Sequence, residues 1–332
     1  MKQEELFEQL SKLTEYQRKQ ITKEIIDYVS LNENLKSTRP IVCPYCHKTA
    51  RFIKKGFTKK HKKQRYECKE CKHKFVYDSH TVTSNLKISN FEFIEICVDT
   101  LMLVPIIDTA NRLKKSTKCV FLNRHKFLLL LEDILNKENI ELAGTIELDE
   151  TYILESSKGK PPINRKARQR GGHSKLRGLS HEQVCIVTAT DRNTHEIFKA
   201  VGYAKPNSKV ISDAFGKHII EKSILYTDGL KSYDLVAKER NCDIKHLEGY
   251  ENYNKVEHLN TVNCIHSIIK DALRKYRGVA TKYINRYSSL FVFYRRYQSM
   301  NQYELKEQVT KIIKSFFNTV SRKIINNYEV FI

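Results

Sequence analysis

Hydrophobic and polar positions fall into two periods along the chain. Leu6, Leu10, Leu13, Ile21, Ile25, Ile26 and Val29 recur at helical spacing and predict one or two amphipathic helices, a packing or dimerising segment within residues 1–40. The helical period returns as Phe91–Leu103, Ile106–Leu113 and Cys119–Leu135, broken by Pro105 and by the polar run 114–117. From residue 143 the period becomes two. Within 144–153, Ile146, Leu148 and, further on, Thr151 alternate with Glu147 and Asp149, predicting a strand with one apolar and one acidic face. Val184–Thr190 is nearly all apolar and predicts a central strand. His195–Tyr203 alternates as its antiparallel neighbour, with 191–194 as the turn. A helix near 208–221 follows, then a short strand from Ile224 that delivers Asp228 to its end, where that residue would serve equally as a helix cap. The helix over 259–276 carries a stripe of Val262, Ile265, Ile269, Ala272, Leu273 and Tyr276. Residues 283–300 read as a helix packed on the sheet, and the segment from 303 as another amphipathic helix.

Cysteine spacing adds a second kind of order. Cys43-Pro-Tyr-Cys46 and Cys68-Lys-Glu-Cys71 give four thiolates that suit one tetrahedral ion, and the intervening segment reads as a hairpin. Gly56 and the basic run 59–63 mark its turn, while Phe52, Tyr66, Phe75 and Tyr77 supply strand residues. A zinc ribbon over 41–80 follows. Four cysteine ligands leave no open position, so the Zn²⁺ is expected to be structural and to contribute on the order of 10 kcal/mol to folding. A redox role for the pairs is the alternative, and the presence of two of them argues against it.

Charge then narrows the class of partner. Among 332 residues, 59 Lys and Arg stand against 38 Asp and Glu, a net charge of +21, and such self-repulsion is relieved by a polyanion. Nucleic acid is the expected partner. A membrane is not, since no apolar run approaches the length of a span. The charged start of the chain is unlike a secretory signal, and nine scattered cysteines fit a reducing cytoplasm. Residues 85–142, with Arg124, His125 and Lys126 on the second helix of a pair, resemble a helix-turn-helix DNA-binding domain, and a plain helical bundle fits the pattern as well. After the acidic strand, Lys158, Lys160, Arg165, Lys166, Arg168, Arg170, Lys175 and Arg177 form an acid-free stretch. It is interrupted by Pro161-Pro162 and Gly171-Gly172 and predicts a loop that touches DNA, or else a solvated insertion. On the late helix, Asn263, Ser267, Lys270 and Arg274 share a face suited to an anion or a metal-bound phosphate.

Three antiparallel strands, a helix, a strand ending in Asp228 and a late helix bearing Asn263 give the order of an RNase-H-like α/β fold. There a mixed sheet flanked by helices sets the first and fourth strands side by side. Asp149 and Asp228 would then share divalent cations, since Mg²⁺ prefers hard oxygen ligands. The segments LDETYI, RGLSHEQVC, YTDGLKSY and HLNTVNCIHSIIK resemble those of bacterial insertion-sequence transposases that carry an N-terminal zinc ribbon and a DDE-type catalytic domain. The resemblance implies metal-dependent cleavage and strand transfer at terminal inverted repeats, with two Mg²⁺ or Mn²⁺ ions. Its further implications are target DNA as a second partner, at least a homodimer on DNA, and a cytoplasmic, nucleoid-associated location. By position, Asp149 and Asp228 correspond to the two aspartates. Asn263 stands where many relatives have glutamate, and Lys270 matches the lysine that follows. An amide oxygen is a weaker ligand than a carboxylate, which leaves Glu257, Glu251 and Glu147 as alternative third ligands. The implied organisation is 1–40 helical, 41–80 zinc ribbon, 85–142 helical, 143–300 catalytic and 301–332 a C-terminal helix. Two other functions fit the residues: an inactive DNA-binding regulator on this scaffold, and a structure-selective nuclease.

Overall fold

The computed structural model describes residues 8–22, 25, 40, 42–59, 64–76, 79, 81–84, 86–159, 166, 172–247, 249, 254–315 and 325. The chain divides into two compact units, one of Met1–Glu95 with Lys306–Thr319, the other of Ile96–Leu305 with Val320–Ile332.

In the first unit, β1 (Phe52–Phe57), β2 (Gln64–Cys68) and β3 (Lys74–Val76) form an antiparallel sheet in that order. Its small core is Phe52, Tyr66 and Phe75 packed with Cys43 and Cys68, the Phe52 and Phe75 rings meeting edge to face at 5.5 Å. The two cysteine pairs sit on turns of one design. His47 N–H donates to Cys43 and Lys72 N–H to Cys68, each at 2.9 Å, while Cys43 and Cys68 donate to Lys48 and His73, each at 3.0 Å. His47 and Lys72 take the left-handed backbone at φ 55° and 62°. Tyr77 and the turn residues 60–63 lie outside the described residues, as does much of the first amphipathic segment, of which 8–11, 15–22 and 25 are helical.

The second unit is built on five strands in the order β6-β5-β4-β7-β8: β4 (Thr145–Leu154), β5 (Gln183–Asp191), β6 (Glu196–Tyr203), β7 (Ile224–Thr227) and β8 (Asp243–His246). The first three are antiparallel neighbours, and β7 and β8 add in parallel. The mixed sheet and its flanking helices are those of the expected RNase-H-like α/β class, and β8 is a strand the hydrophobic pattern did not signal. Pairing of β4 with β5 runs without a slip from Ile146↔Asp191 to Leu154↔Gln183, which fixes which side chains share a face. Ile146 and Leu148 face a core made with Cys185, Val187 and Ala189 of β5. That core is covered by α4 (Ser208–Phe215) and α5 (Asp234–Glu239) through Ile211, Phe215 and Val236. The helix expected to reach residue 221 ends at Phe215, where a 3₁₀ turn over Gly216–His218 begins. The opposite face carries Glu147, Asp149 and Thr151, so Thr151 belongs with the acids and not with Ile146 and Leu148. On that side packs α6 (Asn260–Lys275), with Val262, Ile265, His266 and Ile269 buried.

Further helices complete this unit. They are the end of α1 (Asn90–Leu101), α2 (Ile106–Arg112), α3 (Thr117–Glu138) and α7 (Ile284–Tyr297), followed by the start of α8 (Gln302–Ser315). Ser116 caps α3 by accepting from Cys119 N–H, and α3 packs on α7, which in turn packs on β6. The expectation that α3 offers Arg124 and His125 to a DNA groove is corrected: both are fully buried. Arg124 Nη2 donates to the Val104 carbonyl at 2.7 Å, and its guanidinium lies 5.0 Å from the Tyr276 ring centre. Among the described residues no helix is long and apolar enough to cross a membrane.

Candidate active site

Sheet geometry brings the two predicted aspartates together. β4 and β7 pair in parallel only over Thr145–Glu147 and Ile224–Tyr226, and continuing that register sets Asp228, just past the end of β7, beside Asp149. Carboxylate oxygens of Asp149, Glu150 and Asp228 all lie within 4.8 Å of one another. Glu150 is the residue the alternation of β4 hid, because it points from the opposite face to Asp149. It joins the cluster because β7 has already ended. Tyr233, fully buried, donates its hydroxyl to Glu150 Oε2 at 2.8 Å, and Leu230 N–H donates to Asp228 Oδ1 at 3.2 Å.

Electrostatics at this cluster call for positive charge. Burial, then the charges of Asp228 and Glu150, push Asp149 up to about 7, and Lys270 pulls the other way. Glu150 is raised by burial and by Asp228. Three carboxylates this close at a partly buried site suit hard divalent cations, whose charge would hold all three ionised. The second metal candidate is the cysteine set. Cys43 Sγ lies 3.6 Å from Cys71 Sγ, and Cys46 Sγ lies 4.0 Å from Cys68 Sγ. Those spans bracket the sulfur–sulfur edge of about 3.8 Å that tetrahedral Zn–S bonds require.

One face of α6 lies over Asp149. His266, buried, places Nδ1 3.5 Å from Asp149 Oδ2 and Nε2 3.1 Å from Thr188 Oγ1. Burial and then the Lys270 charge push its pKa down to about 4, so it is a neutral imidazole at pH 7. Asn263, half-buried, lies one turn before His266, and Lys270 one turn after, on the same side of the helix. Nothing in the hydrophobic pattern marked His266, which reads as one more position beside the apolar stripe.

The other proposed third ligands are elsewhere. Glu147 is 1% exposed, its Oε2 accepts from Val262 N–H at 2.9 Å in the first turn of α6, and its Oε1 meets Arg192 at 2.6 Å and His258 at 3.3 Å. It therefore anchors α6. Glu257 is held by Lys245 and Asn254. Glu251 lies outside the described residues.

The basic stretch resolves into different roles. Lys158 is not free for phosphate: its ammonium donates to the carbonyls of Tyr276, Arg277 and Gly278 at 3.3, 2.7 and 2.8 Å, closing the end of α6. Lys175 and Arg177 are exposed. Their loop is tied to buried Glu182, whose Oε2 accepts from Ser174 Oγ and from the N–H groups of Lys175 and Leu176. Arg274 is exposed and ion-paired with Asp271. Lys166 is exposed, and Lys160, Arg165, Arg168 and Arg170 lie outside the described residues.

Residues 141–297 match the family described as the ISXO2-like transposase domain. No curated protein matches the chain. Among solved structures, the "Crystal structure of a pre-cleavage Mos1 transpososome" aligns at 11% identity and TM-score 0.26, over 69% of this chain and 79% of that one. The "Crystal structure of the Mos1 Strand Transfer Complex" aligns at 12% identity and TM-score 0.26, over 69% and 78%. The matched span contains β4 with Asp149 and Glu150, the end of β7 with Asp228, and α6 with Asn263 and Lys270. Over residues 141–297, the stretch that holds the acidic cluster, the chain is thus similar to the ISXO2-like transposase domain.

Proposed function

We propose that this transposase cleaves and joins DNA strands at terminal inverted repeats, with Asp149, Asp228 and Asn263 holding two Mg²⁺ or Mn²⁺ ions. The observation that carries this is the mutual approach of the Asp149, Glu150 and Asp228 oxygens. Bound divalent ions supply the means to make an attacking oxygen nucleophilic at neutral pH and to stabilise the leaving oxygen. The chain's own residues set the geometry. Asp149 from β4 and Asp228 from just past the end of β7 present oxygens to one point, Asn263 lies on α6 one turn before His266, and Glu150 contributes the carboxylate charge that an amide at 263 lacks. Lys270, whose charge acts on Asp149, positions a DNA phosphate. Lys175 and Arg177, with Lys160, Arg165, Lys166, Arg168, Arg170 and Arg274, take up the backbone of the duplex. The cysteine set holds Zn²⁺ as a structural ion, and two copies of the chain act together because two ends are joined in one event.

The deciding experiment supplies oligonucleotides bearing the element's terminal repeats, with Mg²⁺, and follows nicking and joining to a target duplex. Asp149→Asn should abolish both while leaving DNA affinity nearly unchanged, because phosphate contacts supply most of that affinity. Parallel loss of binding and cleavage would overturn the assignment of the acids.

A further inference from the structure

A cleft of about 1170 Å³ opens in the second unit beyond the far end of α6. Its floor is made by α3, its walls by the end of α6 and the start of α7, and its lip by Ser156–Gly159 after β4. The lip is fixed. Ser156 and Thr281 exchange two hydrogen bonds, at 2.8 and 2.9 Å, and Lys158 fastens it to residues 276–278.

The floor is anomalous for a protein core. Arg124 is fully buried, yet its Nε and Nη1 have no hydrogen-bond partner, and among the described residues no carboxylate pairs with it. His125 is also fully buried, and neither ring nitrogen is bonded. Unmatched donors of this kind each cost about 1–3 kcal/mol, and more for a charged group, unless a ligand meets them. Burial, then the charges of Arg286, Arg124 and Lys282, push His125 down to about 3, so it offers one donor and one acceptor. Aromatic rings stand around this floor: Phe121 at 4.3 Å and Tyr283 at 4.4 Å from the His125 ring. Cations stand at the rim, where Arg274 and Arg277 are exposed, each in a surface ion pair, with Asp271 at 3.0 Å and Asp108 at 3.8 Å.

An apolar-walled cleft with hydrogen-bonding groups at its base and arginines at its mouth fits a nucleobase inside and a phosphate outside. A bare phosphate fits poorly, since the neutral imidazole and the rings around it would strip its water without replacing it. We infer that the cleft takes a single nucleotide unstacked from the DNA, its base against Arg124 and His125 and its phosphate on Arg274 and Arg277. The cleft is placed for this. From Lys270 to Arg274 on α6 and to Tyr276 just past its end is four to six residues, about 6–9 Å at helical rise, one or two nucleotides along a strand. Placing that nucleotide in substrate DNA rests on the acidic cluster being where strands are cut. The test below measures no cleavage, so the two ideas fail separately.

The probe is dGMP, which offers the N7 and O6 acceptors side by side. Calorimetry on the full chain should give saturable binding, with deoxyguanosine weaker and inorganic phosphate weaker still. Arg274→Ala with Arg277→Ala should weaken dGMP about tenfold, the loss of one or two charge-assisted contacts, while changing deoxyguanosine less than about twofold. Arg124→Met should abolish dGMP binding; it also takes the donor from the Val104 carbonyl, so a modest fall in Tm is expected alongside. A duplex with one unpaired guanosine should displace dGMP, and the fully paired duplex should not. The inference is overturned by absence of dGMP binding at millimolar concentration, by phosphate binding as tightly as dGMP, or by a paired duplex that competes as well as the bulged one. Should Arg124→Met fail to fold, the two exposed arginines decide: unchanged dGMP affinity in their double variant overturns it.

Discussion

At the scale of single residues, the three clustered acids should separate by role. Asp149→Asn is expected to lower strand cleavage by at least about 100-fold, a loss of about 3 kcal/mol of barrier lowering. Glu150→Gln should lower it by about 10-fold, as supporting groups around a metal commonly do. Tyr233→Phe, which removes only the hydroxyl that orients Glu150, should have a smaller effect on cleavage. Single-turnover nicking rates in Mg²⁺ order the three, and a Tyr233→Phe protein as impaired as Asp149→Asn would contradict the order. Asp149 was legible because an acid within an apolar strand is out of place in a sheet, whereas Asp228 read equally as a helix cap and was picked out by the resemblance of its segment. Glu150 was not, because period-two reasoning assigns it to the wrong face and cannot know where a neighbouring strand stops. Arg124 and His125 misled for the matching reason. A basic residue on a helix is read as solvated, and only packing reveals one that is turned inward.

Among elements, α6 and the loop after β4 carry the most specific expectations. Glu147→Ala leaves the first turn of α6 without its buried acceptor and Arg192 and His258 without their carboxylate. It should destabilise the second unit by about 3 kcal/mol in denaturant unfolding. Lys158 and Lys175 stand in the same basic stretch, yet their substitutions should diverge. Lys158→Met should loosen the end of α6 and lower Tm with little change in the salt dependence of DNA binding. Lys175→Met should leave Tm unchanged and reduce the slope of log K against log salt by about 0.9. Equal slopes in the two variants would remove the distinction. The strands β4 to β7 and the run of α6 were readable from periodicity, while their side-by-side order came from the likeness to an RNase-H-like fold and β8 was missed. The use of Lys158 as a helix cap was not, since it depends on a turn at 276–278 far away in sequence.

For the molecule as a whole, the two metal candidates lie in separate compact units and should fail separately. A strong zinc chelator should expose 42–76 to proteolysis while the sheet of the second unit keeps its protection, measured by fragment mapping.

The brevity of β7 has one more consequence. Four residues on this strand lie against ten on β4, so beyond Glu147 the sheet parts like a fork, and both of its sides open into one gap. The acidic cluster is lodged in that interruption. Two residues inserted ahead of Asp228 would let the hydrogen-bonded ladder run on, wall Glu150 off from Asp149 and carry Asp228 away from both, in a protein that still folds.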